Sequence, residues 1–217
     1  MRLFVADDHT LFRQGLIRIL ADDPAIEVVG EAGDGEEALQ ALRTAQPDVA
    51  LLDVSMPGRD GLEIAQAAQR EGWPTAIVIL TMHNDEAFLN RALDLGVKGY
   101  LLKDNAVTEL LDCLKAVVRN QYYVSPILSA FLIRRRARTD ALLAQNPGLE
   151  HLTDTEKRIL KHIAENKTSR EIADDLFVSY RTVQTHRANI CTKLGLKGHH
   201  KLLQFALEHK SSLASLD

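Results

Sequence analysis

The chain has 217 residues and a formal net charge of −4, from 26 Lys and Arg against 30 Asp and Glu. With 46% hydrophobic and 26% charged residues it is of ordinary globular composition, which excludes disordered and fibrous classes. No apolar run approaches the roughly 18–20 residues that span a bilayer, because Asp53 and Arg59 interrupt the most apolar stretch.

The charge is unevenly spread. Residues 1–120 hold 11 basic and 20 acidic side chains, net −9, whereas residues 121–217 hold 15 and 10, net +5. Such a split predicts two units with different partners, the second an anion. The N-terminal MRLFVADDH meets charge after four apolar residues, too soon for a secretory signal core. Cys113 and Cys191 fit no metal spacing and read as free thiols in a reducing compartment, so a cytoplasmic location with no membrane partner is expected.

In chain order, short apolar runs at 3–6, 26–29, 49–52, 76–80 and 98–102 have the length and composition of strands buried on both faces. Segments of helical period alternate with them: Leu11, Leu16, Ile19 and Leu20; Ala38, Leu39 and Leu42; Leu62, Ile64 and Ala65; Phe88, Ala92 and Leu95; Leu110, Leu114 and Val117. This alternation predicts a doubly wound, five-stranded parallel sheet with helices on both faces over residues 1–120. Right-handed crossovers bring every strand-to-helix loop to one edge. After Asn120 the alternation stops. Residues 121–148 read as a helical linker bearing Arg134, Arg135, Arg136 and Arg138, closed by Asn146-Pro147-Gly148. That arginine run is either a solvated face or an auxiliary phosphate contact, and Leu128, Leu132, Leu142 and Leu143 form an aliphatic face able to pack on either neighbour. Residues 149–212 read as a small all-α domain of four helices. Thr153-x-x-Glu156 and Thr168-x-x-Glu171 are capping boxes, and Ser179 is a third N-cap.

Asp7 and Asp8 end the first strand and Asp53 the third, so three carboxylates meet at one point of the loop edge. Their mutual repulsion calls for a cation, and an all-oxygen set open to water suits Mg²⁺. Thr81 and Lys103 end the fourth and fifth strands. The set fits phosphoryl transfer: Asp53 as nucleophile, Asp8 and Asp53 as direct metal ligands with Asp7 acting through water, and Lys103 and Thr81 on the phosphoryl oxygens. Taken singly, an Asp after a strand is more often an N-cap, and a Thr or Lys there solvated polarity. The conjunction of all five carries the reading.

In the second domain, helices at about 166–176 and 180–194 joined by a short turn have helix-turn-helix spacing. Val183, His186, Ile190 and Leu194 set the inner face of the second helix, with His186 a core histidine. Tyr180, Arg181, Gln184, Thr185 and Ala188 are then turned outward, with Arg187 flanking. Gln184, Thr185 and Ala188 have base-reading chemistry, and Lys167, Arg181, Arg187, Lys193 and Lys197 suit phosphates. A helical packing module with solvated charges is the plainer account of the same composition.

VADDH, LLDVSMPGRDG, LTMH and GYLLKD resemble the signatures of a response-regulator receiver domain, a flavodoxin-like fold. The string running from LTDTEK to KLGLKG resembles the LuxR-type helix-turn-helix, so the whole chain is similar to NarL/FixJ-type response regulators. The resemblance implies that Asp53 takes phosphate from a histidine kinase, that the backbone carbonyl of Ser55 joins the Mg²⁺ ligands, and that Thr81 and Tyr100 form a switch. From the residues alone, Tyr100 reads equally as a rim residue with its hydroxyl in water. It further implies a phosphorylation-promoted homodimer on double-stranded DNA, with RNA polymerase as a further candidate partner and self-phosphorylation as the only catalysis. Local departures are Thr155 for Arg, Asn166 for Gly, Gln184 for Lys and the uncharged Ala188, which bear on sequence preference. Two other readings are weighed: a phosphorylation-independent DNA-binding protein using the first domain to dimerise, and an aspartyl phosphatase. Ser55, standing where that phosphatase needs a second Asp, argues against the latter.

Overall fold

The computed structural model describes residues 1–214 and Leu216, in two compact units, Met1–Ala130 and Phe131–Asp217. In the first, β1 (Arg2–Ala6), α1 (Thr10–Leu20), β2 (Glu27–Ala32), α2 (Gly35–Ala45), β3 (Val49–Asp53), α3 (Gly61–Glu71), β4 (Ala76–Thr81), α4 (Glu86–Asp94), β5 (Gly99–Leu102) and α5 (Lys103–Val118) alternate as the apolar runs predict. The sheet order is β2-β1-β3-β4-β5-β6, every pair parallel.

Period-two alternation sorts the strand residues. Leu3, Val5, Val49, Leu51, Val78, Leu80 and Leu101 share one buried cluster with Leu16 and Leu20 of α1 and Leu110, Cys113 and Leu114 of α5. Phe4, Ala6, Ala50, Leu52, Ile77 and Ile79 face the opposite side and are equally buried. Strands β1, β3, β4 and β5 are enclosed on both faces; β2, at the edge, is half-exposed and runs three residues past its apolar stretch.

The sheet has six strands, not five. Residues assigned to the linker supply β6 (Tyr123–Val124), because the outer edge of β5 offers unpaired backbone groups. The Tyr123 amide donates to Lys98 O and the Ser125 amide to Tyr100 O, each at 2.9 Å. Ser125 is buried; its hydroxyl accepts from the Leu102 amide and donates to Glu109 Oε2. The first unit therefore runs ten residues beyond 120.

A 3-10 turn (Pro126–Leu128) leads into α6 (Ser129–Gln145), so the linker helix starts later than its apolar pattern suggests. Its aliphatic residues divide. Leu128 is buried in the first unit, while Leu142 joins the core of the second and Leu143 packs against that core. The second unit adds α7 (Asp154–Ala164), α8 (Ser169–Asp175), α9 (Tyr180–Lys193), α10 (His199–Glu208) and a further helix, α11 (Lys210–Ala214). Leu213 and Leu216 complete its core, which thus extends past residue 212. Both capping boxes close as predicted, and the Ser179 hydroxyl accepts from the Thr182 amide. Asn166 takes a left-handed φ of 62°, which Asn tolerates better than most residues.

One close approach matters for the loop edge. A Cβ on Gly61 would stand 2.3 Å from Asp53 O, so α3 starts against the backbone of β3's last residue only because Gly61 has no side chain. Gly61→Ala should force these elements apart and cost about 2 kcal/mol, read as a lower midpoint in urea denaturation; an unchanged midpoint refutes it.

Candidate functional site

The loop edge gathers Asp7, Asp8, His9 and Asp53 with one potential ligand atom from each within 4.8 Å of the others. Asp7 and Asp53 are fully buried and Asp8 half-buried. The N-cap explanation does not hold for the aspartates of β1's end: His9 occupies the N-cap of α1, and no side chain caps it. Asp7 Oδ1 instead accepts the His9 amide at 2.8 Å. Sequence reasoning passed over His9, whose exposed Nδ1 stands 2.9 Å from Asp8 Oδ1; its place in the acidic run VADDH was the available signal.

Lys103, first residue of α5, is buried at the centre. Its Nζ lies 2.7 Å from Asp53 Oδ2 and 2.8 Å from Asp7 Oδ2. Burial raises the Asp53 carboxyl above its ordinary range, although the Lys103 hydrogen bond and the Ser55 amide, 3.1 Å from Oδ1, act the other way. Burial alone would lower Lys103, but hydrogen bonds to Asp53 and Asp7 outweigh it and keep the ammonium above its usual range. Three carboxylates against one ammonium leave a net negative, oxygen-lined site. Asp8 Oδ1 is buried, and the His9 ring nitrogen near it is not in hydrogen-bonding geometry. That donor set fits a small hard divalent cation.

Thr81, last residue of β4, is buried, and its hydroxyl accepts the His83 amide at 2.9 Å, leaving its own proton to donate. Tyr100 is no rim residue: its side chain is fully buried, and its Oη lacks a partner of hydrogen-bonding geometry. Burial pushes the phenol up to about 12, the neighbouring Thr81 hydroxyl opposing. Ser55 is exposed at the rim, its Oγ 3.2 Å from His83 Nε2.

In the second unit, α9 buries Val183 and Ile190, with Leu194 partly buried against the core. His186 is partly enclosed, its Nδ1 buried without a partner. Arg181, Thr185, Ala188 and Lys197 are exposed and Gln184 half-buried, so the predicted polar face exists. Three residues expected to meet phosphates have partners inside the unit. Arg187 is buried at the α8–α9 contact, its Nη1 donating to Ser169 Oγ at 3.2 Å; burial lowers its guanidinium. Lys193 reaches the buried Glu156 carboxylate at 2.6 Å. Lys167 is held by Asp175 at 2.9 Å and Glu165 at 3.0 Å. Residue type and position along the chain were legible for all three, while burial and partner depended on how the unit packs.

Residues 3–115 match the response regulator receiver domain family, and residues 150–206 match the family of bacterial regulatory proteins, luxR family. The oxygen regulatory protein NreC of Staphylococcus epidermidis is 38% identical over 215 residues, spanning 97% of this chain and 98% of the relative. The RcsB response regulator of Salmonella typhimurium is similar in structure, with a TM-score of 0.59 at 28% identity, covering 94% of this chain and 98% of that one. An RcsB–DNA complex aligns with a TM-score of 0.58 at 28% identity, covering 96% and 98%.

The Glu156–Lys193 pair ties the start of α7 to the end of α9. Burial opposes ionisation of Glu156, but Lys193 and the Thr153 capping contacts outweigh it and hold the carboxyl below the usual carboxylate range. With the folded value depressed, the pair's stabilisation is present above the unfolded Glu value of about 4.3 and is lost as pH falls through the folded one. Glu156→Gln should therefore cost about 1–2 kcal/mol at neutral pH and lose less stability than wild type between neutrality and acid. Parallel urea curves at both pH values would refute this.

Proposed function

The chain belongs to the NarL/FixJ-type response regulators, which join a receiver domain to a LuxR-type DNA-binding domain and regulate transcription, and on that basis we propose that Asp53 is its phosphoacceptor. The observation that carries the proposal is the buried Lys103 ammonium shared by Asp53 and Asp7 in a site that still holds excess negative charge.

An Asp53 carboxylate oxygen attacks phosphorus on a phosphohistidine of a partner kinase; the O–P bond forms as the P–N bond breaks, and the imidazole leaves with the electron pair. Asp7, Asp8, Asp53 and the Ser55 carbonyl are the residues to hold Mg²⁺, which when bound neutralises charge on the phosphoryl oxygens. Lys103 already faces Asp53 and donates to those oxygens, and the Thr81 hydroxyl has a proton to give. Moving Thr81 toward the phosphoryl group changes the surroundings of the buried Tyr100, which makes the pair the switch. Phosphorylation then shifts an existing equilibrium toward a DNA-competent homodimer.

For the second unit we assign base reading to Gln184, Thr185 and Ala188, with Arg181 and Lys197 on phosphates. The RcsB–DNA complex among the similar structures supports double-stranded DNA as its partner. Arg187 and Lys193 are framework residues holding α9 in place.

Two experiments test these assignments. A small phosphodonor with Mg²⁺ should label wild type and leave Asp53→Asn unlabelled; equal labelling removes Asp53 from the role. Gln184→Ala and Thr185→Ala should each reduce discrimination among operator variants by about tenfold, measured by competition binding, with selectivity left intact as the refuting result.

A further inference from the structure

Phe177, in the turn between α8 and α9, is 97% exposed and holds a left-handed backbone at φ 53°. That conformation crowds a Cβ, and Gly or Asn adopts it at lower cost. The chain uses Asn for it elsewhere, at Asn120 with φ 58° and Asn166 with φ 62°. A Phe there is strained and gains no burial in return, so neither backbone geometry nor packing accounts for it. Val178 and Tyr180 beside it are also exposed, at 39% and 52%. Three uncovered apolar side chains thus stand within four residues.

Their position is informative. Tyr180, Gln184 and Ala188 form an i, i+4 row along α9, and Phe177 precedes that row by three residues at the helix N-terminal end. In a helix-turn-helix the N-terminal residues of the second helix are those that approach base edges. The charge pattern agrees: residues 176 to 207 contain no Asp or Glu, and of their five Lys and Arg, Arg181, Lys197 and Lys201 are exposed. A polyanion is the complementary partner for that stretch. An aromatic ring among such residues has an apolar target on duplex DNA, the C5-methyl group of thymine.

We propose that Phe177 is a specificity-determining DNA contact, packing on a thymine methyl group beside the bases addressed by α9. The proposal rests on the assignment of α9 to DNA and extends the reading surface from the helix into the turn before it.

The test uses the full-length protein and a duplex that it enriches from a random-sequence pool. Each thymine is replaced singly by deoxyuracil, which removes only the methyl group. Wild type should lose about fourfold in affinity at one position in the stretch next to the α9 contacts. Phe177→Asn should bind the unmodified duplex about fourfold more weakly and be indifferent to deoxyuracil at that position, while any methyl contact by Ala188 persists at its own. Its melting temperature should equal or exceed that of wild type, because Asn relaxes the turn; this separates lost contact from lost fold. Phe177→Leu should retain part of the discrimination. An unchanged affinity and deoxyuracil pattern in Phe177→Asn overturns the proposal. So does intact binding with lost promoter output, which would make the turn a protein-docking surface. Failure of wild type to enrich any duplex overturns this contact together with the assignment of α9.

Discussion

Carboxylates crowded at the end of a sheet repel one another, and the first unit is organised around the ammonium that makes their assembly tolerable. Lys103 serves Asp53 and Asp7 together from the start of α5. It does so from just past β5, while its partners end β3 and follow β1, with β4 between. Adjacent strands are about 4.8 Å apart, so a side chain crossing from β5 to β3 spans about 10 Å, a distance only a long cation covers. Thr81, ending β4, necessarily lies along that crossing. The relative placement of hydroxyl, ammonium and carboxylates is thus a property of strand order, and β3 is held at the right depth by α3 starting directly on its backbone at Gly61.

The first unit was legible because its information is one-dimensional. Buried parallel strands must be apolar throughout, and the chemical residues sit at strand ends, which the same pattern locates. Asp7, Asp8, Asp53, Thr81 and Lys103 all fall where the alternation puts them. β6 was not legible, since two residues carry no period; it forms because β5 has an edge to be satisfied. The second unit shows a different limit. Charge counting treats every Arg and Lys as surface, yet Arg187 is enclosed beside Ser169 and Lys193 is committed to Glu156. A long side chain from a helix can turn to either flank, and only the packing of α7, α8 and α9 decides which. The net +5 therefore overstates the cationic groups free to meet an anion.

The two units also treat buried charge in opposite ways. Around Asp53 the cation is matched by two acids and the excess is negative. At the α8–α9 contact the Arg187 guanidinium is buried with the Ser169 hydroxyl as its partner, and its Nε has none among the described residues. An enclosed cation without a counter-charge adds positive potential to the surface above it while making no direct contact there. α9 thus gains positive potential from a side chain enclosed beneath its surface.

The short pairing of Tyr123 and Val124 with β5 has a consequence for how the molecule survives at high concentration. A parallel sheet has two open margins, each a template for another chain. On one, β6 reduces the open margin to two residues followed by a proline-bearing turn, which ends further pairing. On the other, β2 carries Glu27 and Glu31, and its register against β1 shifts between Leu3 and Phe4. Charge and irregularity at one margin and brevity at the other leave no long, flat strand for a second molecule to extend. The segment that leaves the sheet for the linker is thereby also its protection against edge-to-edge aggregation.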